Sequence, residues 1–233
     1  MKLRLLVAFL LTAIFVGSVN PTSGATTTPN QLMKSVLADA DAEHSVHITY
    51  STTLAHTQMR ITEVTDERQS EGQQTDTFDR SAKTHREVVE LVAGNVYFKG
   101  DAWVLETYTS LSKAMSTRLA NKWLLIPKIN PDYTYFLQGM TIHSMMTILT
   151  MTNVVRNISE VTATGQREEV LQGTSVASSF NVAYAETLSY TNSTMPLPLQ
   201  ATQLLEGTRG TYVFSHWNES LQFVAPKVTF VFK

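Results

Sequence analysis

The chain has 233 residues, 43% of them hydrophobic, with 18 basic and 20 acidic side chains and no cysteine. That length supports one sizeable core. The near-neutral balance, with basic residues scattered rather than clustered, excludes a nucleic-acid binder that needs a basic stripe. The lack of cysteine excludes thiolate-ligated zinc, a thiol nucleophile, disulfides and acylation on an N-terminal cysteine.

In chain order, residues 1–25 read as a secretory signal: Lys2 and Arg4 supply the positive region, residues 5–16 the apolar core, and Ser23, Gly24 and Ala25 the small residues of a cleavage site. The apolar run is shorter than the roughly 20 residues of a bilayer-spanning helix. The expected organisation is therefore a signal over 1–25 and a single domain over 26–233. An uncleaved anchor is the rival reading. Without Lys2 and Arg4 the remainder is more acidic than the −2 of the whole sequence.

Thr28 and Pro29 predict a capped helix with Leu32, Met33, Val36 and Leu37 on one face. Segment 45–50 alternates as a strand with Val46, Ile48 and Tyr50 on one side. Residues 57–65 pair with it as a hairpin, presenting Met59, Ile61 and Val64. The polar stretch 66–82 reads as a turn or an exposed strand edge. Residues 85–92 and 95–99 form two strands about Ala93-Gly94, and Gly100-Asp101 marks a turn before Trp103. Residues 109–120 take helical spacing, 122–127 return to extended structure, and 139–151 read as a methionine-rich helix carrying Met140, Met145, Met146 and Met151. From 153 onward the pattern is nearly all strand and turn, with Gly207 and Gly210 flanking one turn. Residues 211–226, TYVFSHWNESLQFVAP, read as a strand, a polar corner and a second strand. Val228, Phe230 and Phe232 form a last alternating face. Helices fall among many strands in no regular βαβ order, so the fold class is α+β with a large antiparallel sheet.

No catalytic constellation emerges. His44 and His47 would lie on opposite faces of a strand, and the other histidines stand apart in sequence, so they read as solvated or core residues. Residues 173–177, GTSVA, lack the second glycine of a nucleophile elbow. There is no phosphate loop or dinucleotide fingerprint. Adjacent Glu168 and Glu169 read as a surface pair. Asn157, Asn192 and Asn218 match the short glycosylation pattern, which has meaning only on a eukaryotic secretory path.

Three ordered segments carry a resemblance. A helix leads into HSVHITYS; LVAGNVYFKGDAWVLE precedes a short helix and ANKWLLIP; and Met195-Pro-Leu-Pro198 precedes a strand and then TYVFSHWNESLQFVAP. Over residues 30–228 this set resembles the LppX/LprG-type branch of the LolA/LolB-like lipoprotein-carrier superfamily. The resemblance implies a strongly curved antiparallel β half-barrel with helices covering its concave apolar face. It implies non-catalytic binding and transport of lipids or lipidated molecules in the bacterial cell envelope. No enzyme activity, cofactor or metal is expected. The signature positions Gly94, Tyr97, Gly100, Asp101, Lys122, Trp123, Pro196, Trp217, Asn218 and Pro226 would be structural. Many members carry a lipobox cysteine that this chain lacks, so an exported monomer, soluble or held by an uncleaved signal, is expected. Its partners would be a lipid or acylated ligand, with transient contact to a membrane or an envelope protein. An envelope sensor or interaction module on the same half-barrel is the alternative.

Alternation places Val46, Ile48, Leu91, Val96, Phe98, Leu105, Val182, Phe214 and Phe230 on the cavity face, with Met145, Ile148 and Leu149 from the covering helix. A register error of one residue would invert any of these strands.

Overall fold

The computed structural model describes residues 27–54, 57–66, 70–161, 167–177, 182–205 and 207–232; the signal reading of 1–25 lies outside them. Helix α1 (Pro29–Asp41) begins at Thr28, whose hydroxyl accepts from Gln31 N while Thr28 N donates to Gln31 Oε1. This capping box satisfies otherwise orphaned donors at both residues. Met33, Val36, Leu37 and Ala40 form its buried stripe.

Strands β1 (Ser45–Leu54), β2 (Thr57–Asp66), β3 (Glu71–Arg80), β4 (Lys83–Val92) and β5 (Asn95–Gly100) run as an antiparallel meander. Helices α2 (Ala102–Tyr108) and α3 (Lys113–Leu119) follow, then β6 (Leu124–Ile126), α4 (Tyr133–Phe136) and α5 (Ile142–Ile148). A second meander, β7 (Asn153–Val161), β8 (Arg167–Ala177), β9 (Val182–Thr191), β10 (Pro198–Leu205) and β11 (Thr208–Ser215), returns to pair β11 with β1. With β12 (Phe230–Val231) beside β6, the order is β12-β6-β5-β4-β3-β2-β1-β11-β10-β9-β8-β7 in one 12-stranded sheet. All pairs are antiparallel except β12 with β6.

Several expectations are corrected. The polar stretch 66–82 holds β3, an interior strand between β2 and β4, because Gly72, Asp76 and Phe78 are buried on one face. Counting apolar residues alone misses a strand whose inward side chains are largely polar. Residues after Gly100 are helical, so Leu105 reaches the core from α2 and not from a strand. Asp101 caps α2, its Oδ1 accepting from Val104 N at 2.9 Å. Gly100 is required there: a Cβ would stand 2.5 Å from Val104 Cγ1. The helix expected over 139–151 is confined to Ile142–Ile148, entered through Gly139 at φ 83° and capped by Thr141. Gly210 does not flank a turn but lies within β11. On β2 the inward row is Met59, Ile61 and buried Glu63, and Val64 faces the other way.

The largest correction concerns 211–226. The first strand is β11, in the interior of the sheet between β1 and β10. No second strand follows. His216 and Asn218 adopt left-handed backbone (φ 52° and 63°), which turns the chain out of the sheet. Asn218 fixes the corner: its side chain accepts from His44 N and donates to Glu43, and its N donates to Ser45 O. The chain then runs as a strap. Ser45 Oγ donates to Glu219 O, and His47 Nε2, on the outer face of β1, lies 2.7 Å from Glu219 Oε2. At the far end Thr229 N donates to Trp123 O and Phe232 N to Leu125 O. Leu221, Phe223 and Val228 are half-buried along it, and Val88 and Tyr97, outward by register, are buried on the strands it spans.

Trp217 stacks on Phe214 (centroids 6.2 Å, planes 20° apart) and donates from Nε1 to Pro198 O. Trp217→Ala is expected to lower unfolding free energy by about 3 kcal/mol, read as a fall in the urea midpoint.

Candidate functional site: the inner wall

Register assigns one face of each strand to the concavity. Across the centre, Leu124, Phe98, Val89, Gln74, Glu63, Ile48 and Phe214 form one row; the next contains Gly100, Glu87, Asp76, Ile61, Tyr50, Tyr212, Ala201, Leu188 and Leu171. The first row is mostly apolar and covered. The second is mixed, and half-exposed at Tyr50 and Ile61.

The residues expected to line the cavity fall into two packed groups. Val46, Ile48, Met145, Leu149 and Phe214 lie in a cluster with α1, α5 and the second meander, with Ile148 packed at its margin. Leu91, Val96, Phe98 and Leu105 lie in a second cluster with α2, α4 and β6, with Phe230 at its margin. Val182 begins β9, and its side chain is outside the described set. Val46, Val96, Phe98, Leu105 and Leu149 are 0% exposed, so no water-sized space adjoins them here. They are packed core in this conformation.

Where the clusters meet lies a polar and aromatic stretch, of which the alternation marks Tyr50, Met59 and Ile61 but not the polar residues. Tyr50 and Tyr212 face each other across the β1–β11 pair with centroids 4.5 Å apart. Gly210 makes room for this: a Cβ there would stand 2.7 Å from Tyr50 Oη. Met59, Ile61 and Gln203 stay half-buried beside them. Towards α2, Phe78 stacks with Tyr108 (5.5 Å), His85 lies 4.3 Å from Trp103, and His85 Nδ1 is 2.8 Å from Asp101 Oδ2.

Carboxyl groups run through this stretch. Asp76 and Glu87 are directly opposed across β3 and β4, and Glu63 stands diagonal to Asp76 on β2. Gln74 Nε2 donates to both Asp76 oxygens, at 2.8 and 3.0 Å. Glu63 Oε1 and Glu87 Oε2 are buried without a hydrogen-bond partner. Burial, and then the neighbouring Asp76 charge, hold the Glu63 and Glu87 carboxyls well above their ordinary range. Burial pushes Asp76 up to about 6 against hydrogen bonds from Glu87 and Gln74. On the other meander, burial lifts Glu186 to about 7 against bonds from Ser175 (2.5 Å) and Gln203 (3.3 Å). Burial also raises Tyr212 strongly, and raises Tyr108 and Tyr184 to about 12. The signal for this stretch was present in the alternation Tyr184-Glu186-Leu188 and Gln74-Asp76-Phe78, in which polar residues share a side with apolar ones.

Ser175, the serine of the incomplete elbow, spends its hydroxyl on Glu186 Oε2, and no histidine among the described residues hydrogen-bonds it. Among the described residues no group of three or more histidine, aspartate or glutamate side chains is placed to hold a metal ion. Nor is any described helix long and apolar enough to cross a membrane.

The architecture is an open, strongly curved α+β half-barrel with helices over its concave face. No protein-family model matches the chain, and no curated protein matches it in sequence. Among solved structures it is similar to LprF from Mycobacterium bovis, with TM-score 0.55 and 10% identity over 85% of this chain and 96% of that one. It is also similar to the lipoprotein LppX from Mycobacterium tuberculosis, with TM-score 0.52 and 14% identity over 83% and 97%. The chain therefore has the fold of the LppX/LprG branch.

The carboxyls set a pH dependence. Asp76 and Glu186 bind protons more tightly folded than unfolded, so their contribution is full below the unfolded values near 4 and is lost as pH rises through about 6 and 7. A tenfold difference in proton affinity between the two states corresponds to about 1.4 kcal/mol. The urea midpoint should fall between pH 5 and pH 8, and Glu186→Gln should flatten that slope.

Proposed function

We propose that this protein is a non-catalytic carrier that holds a lipid or acylated molecule against the inner wall of its half-barrel, outside the cytoplasm. The observation that carries this reading is the seam between the two apolar clusters, where Tyr50, packed on one, Met59, packed on the other, and Ile61 lie on the inner face and stay only partly buried. An acyl chain laid there would continue both clusters. The cover can yield: α2, α3 and α5 have seven residues each and α4 has four, each short of what stands alone as a helix. The shared fold with a structure described as a lipoprotein supports the same reading. The signal-like 1–25 segment supports export into the cell envelope, and the sequence offers no cysteine for acylation.

A second reading, an envelope sensor or interaction module, is favoured by one observation. Val46, Val96, Phe98, Leu105 and Leu149 are fully buried, which fits a hollow filled by the chain's own side chains. The two readings separate by measurement. The chain purified from an exporting host should release lipid into organic solvent, detected by mass spectrometry. Straight-chain alcohols should bind with about fourfold gain per methylene, the equivalent of ~0.8 kcal/mol, until the hollow is full. No extractable lipid and no binding would remove the carrier reading, and a stoichiometric protein partner from envelope fractions would then establish the second.

A further inference from the structure

We propose that the acidic stretch of the inner wall receives the protonated amine of an amphiphile whose chain lies along Ile61, Met59 and Tyr50. This inference rests on the carrier reading and adds the headgroup.

Three observations converge. First, Glu63, Asp76 and Glu87 come from adjacent strands, with Asp76 facing Glu87 directly and Glu63 diagonally. Second, two buried oxygens have no hydrogen-bond partner among the described residues: Oε1 of Glu63, a residue 2% exposed, and Oε2 of Glu87, a partly buried residue. A folded chain rarely leaves such acceptors unmatched. Third, among the described inner-wall residues of β1–β5 the basic groups are His85, already on Asp101, and Arg80 and Lys83 at the open rim. The interior stretch therefore offers acceptors and negative charge, with no cation of its own beside them.

An ammonium group answers these features together. It brings three donors and no acceptor, and its charge favours the ionised form of the carboxyl beside it. A hydroxyl would supply one donor without relieving the charge. A carboxylate headgroup would add a further anion to a wall that already holds its acids protonated. The groups facing the stretch are Asp101 and Tyr108 from α2, Tyr135 from α4, Gln74 on β3, and Arg80 at the rim. Trp103 and Tyr108 stand at the same end, their rings already engaged by Arg80 and His85 on Trp103 and by Phe78 on Tyr108. Since Glu63 and Glu87 hold their protons by burial, seating an ammonium would ionise a carboxyl, and binding would release a proton to solvent.

The test titrates the folded chain with dodecylamine, dodecanol and dodecanoate at pH 7.5, below their micellar concentrations, by calorimetry in two buffers of different ionisation enthalpy. The expected result is dodecylamine binding about tenfold tighter than dodecanol, the worth of one charge-assisted hydrogen bond. Dodecanoate should bind weakest, and the amine's heat should differ between buffers as proton release requires. Glu87→Gln should lower dodecylamine affinity toward that of dodecanol and so remove the amine preference. The three-way comparison on the unaltered chain stands even if that variant does not fold. Equal binding of amine and alcohol, or tightest binding of dodecanoate, would overturn the headgroup assignment and leave the carrier reading intact. No binding of any of the three would overturn both.

Discussion

The pairing of β1 with β11 is the constraint on which the molecule depends. Each meander is local, strand following its sequence neighbour. Only the register Ile48↔Phe214 and Tyr50↔Tyr212 joins them into one sheet. That seam brings Phe214 beside α1 and α5, sets Tyr50 against Tyr212, and places the Asn218 corner on Ser45. The loop-closure entropy of a contact between residues about 160 apart rises only slowly with length, so a modest set of side chains can hold it. Trp217, Phe214 and Asn218 are that set.

Elements with a local physical cause were legible in the sequence. Thr28, Pro29 and Gln31 mark a helix start by chemistry alone, and the alternation in 45–50 and 95–99 gives strands in the right register. Val46, Ile48, Val96 and Phe98 are inward as expected. What failed depended on distant partners. Strand β3 is held by neighbours on both sides and so tolerates inward Gln74 and Asp76. Helix α2 is set by one aspartate cap and one glycine that lets it approach β5. The segment after Trp217 has a strand-like composition, but two left-handed residues turn it away from the sheet before it can pair. An apolar pattern marks a buried face without saying whether the space before it is filled by chain or by ligand. For that reason most of the described residues foreseen as cavity lining are found buried, with Ile148 and Phe230 at the margins.

The inner wall combines two kinds of surface that oppose each other energetically. Under α1, α5 and α2–α4 it is apolar and closed, and this part supplies stability. Between them it keeps carboxyls and tyrosines that burial makes reluctant to ionise. A core built for stability alone would replace these groups with apolar ones. Their presence on both meanders, with Glu186 on one and Glu63, Asp76 and Glu87 on the other, marks the zone where the fold gives up stability to keep polar groups inside.

An open sheet that cups a hollow also has two strand edges, and each edge presents unpaired backbone groups to any neighbouring copy. Beside β6 the rim is occupied by β12, two residues long and parallel, too short to template another strand. At the opposite rim β7 breaks its register between Val154 and Arg156, a bulge that twists the edge out of line. The half-barrel can thus remain unclosed without inviting edge-to-edge stacking: its rims resist the fibrous association that an open sheet of this width would otherwise risk.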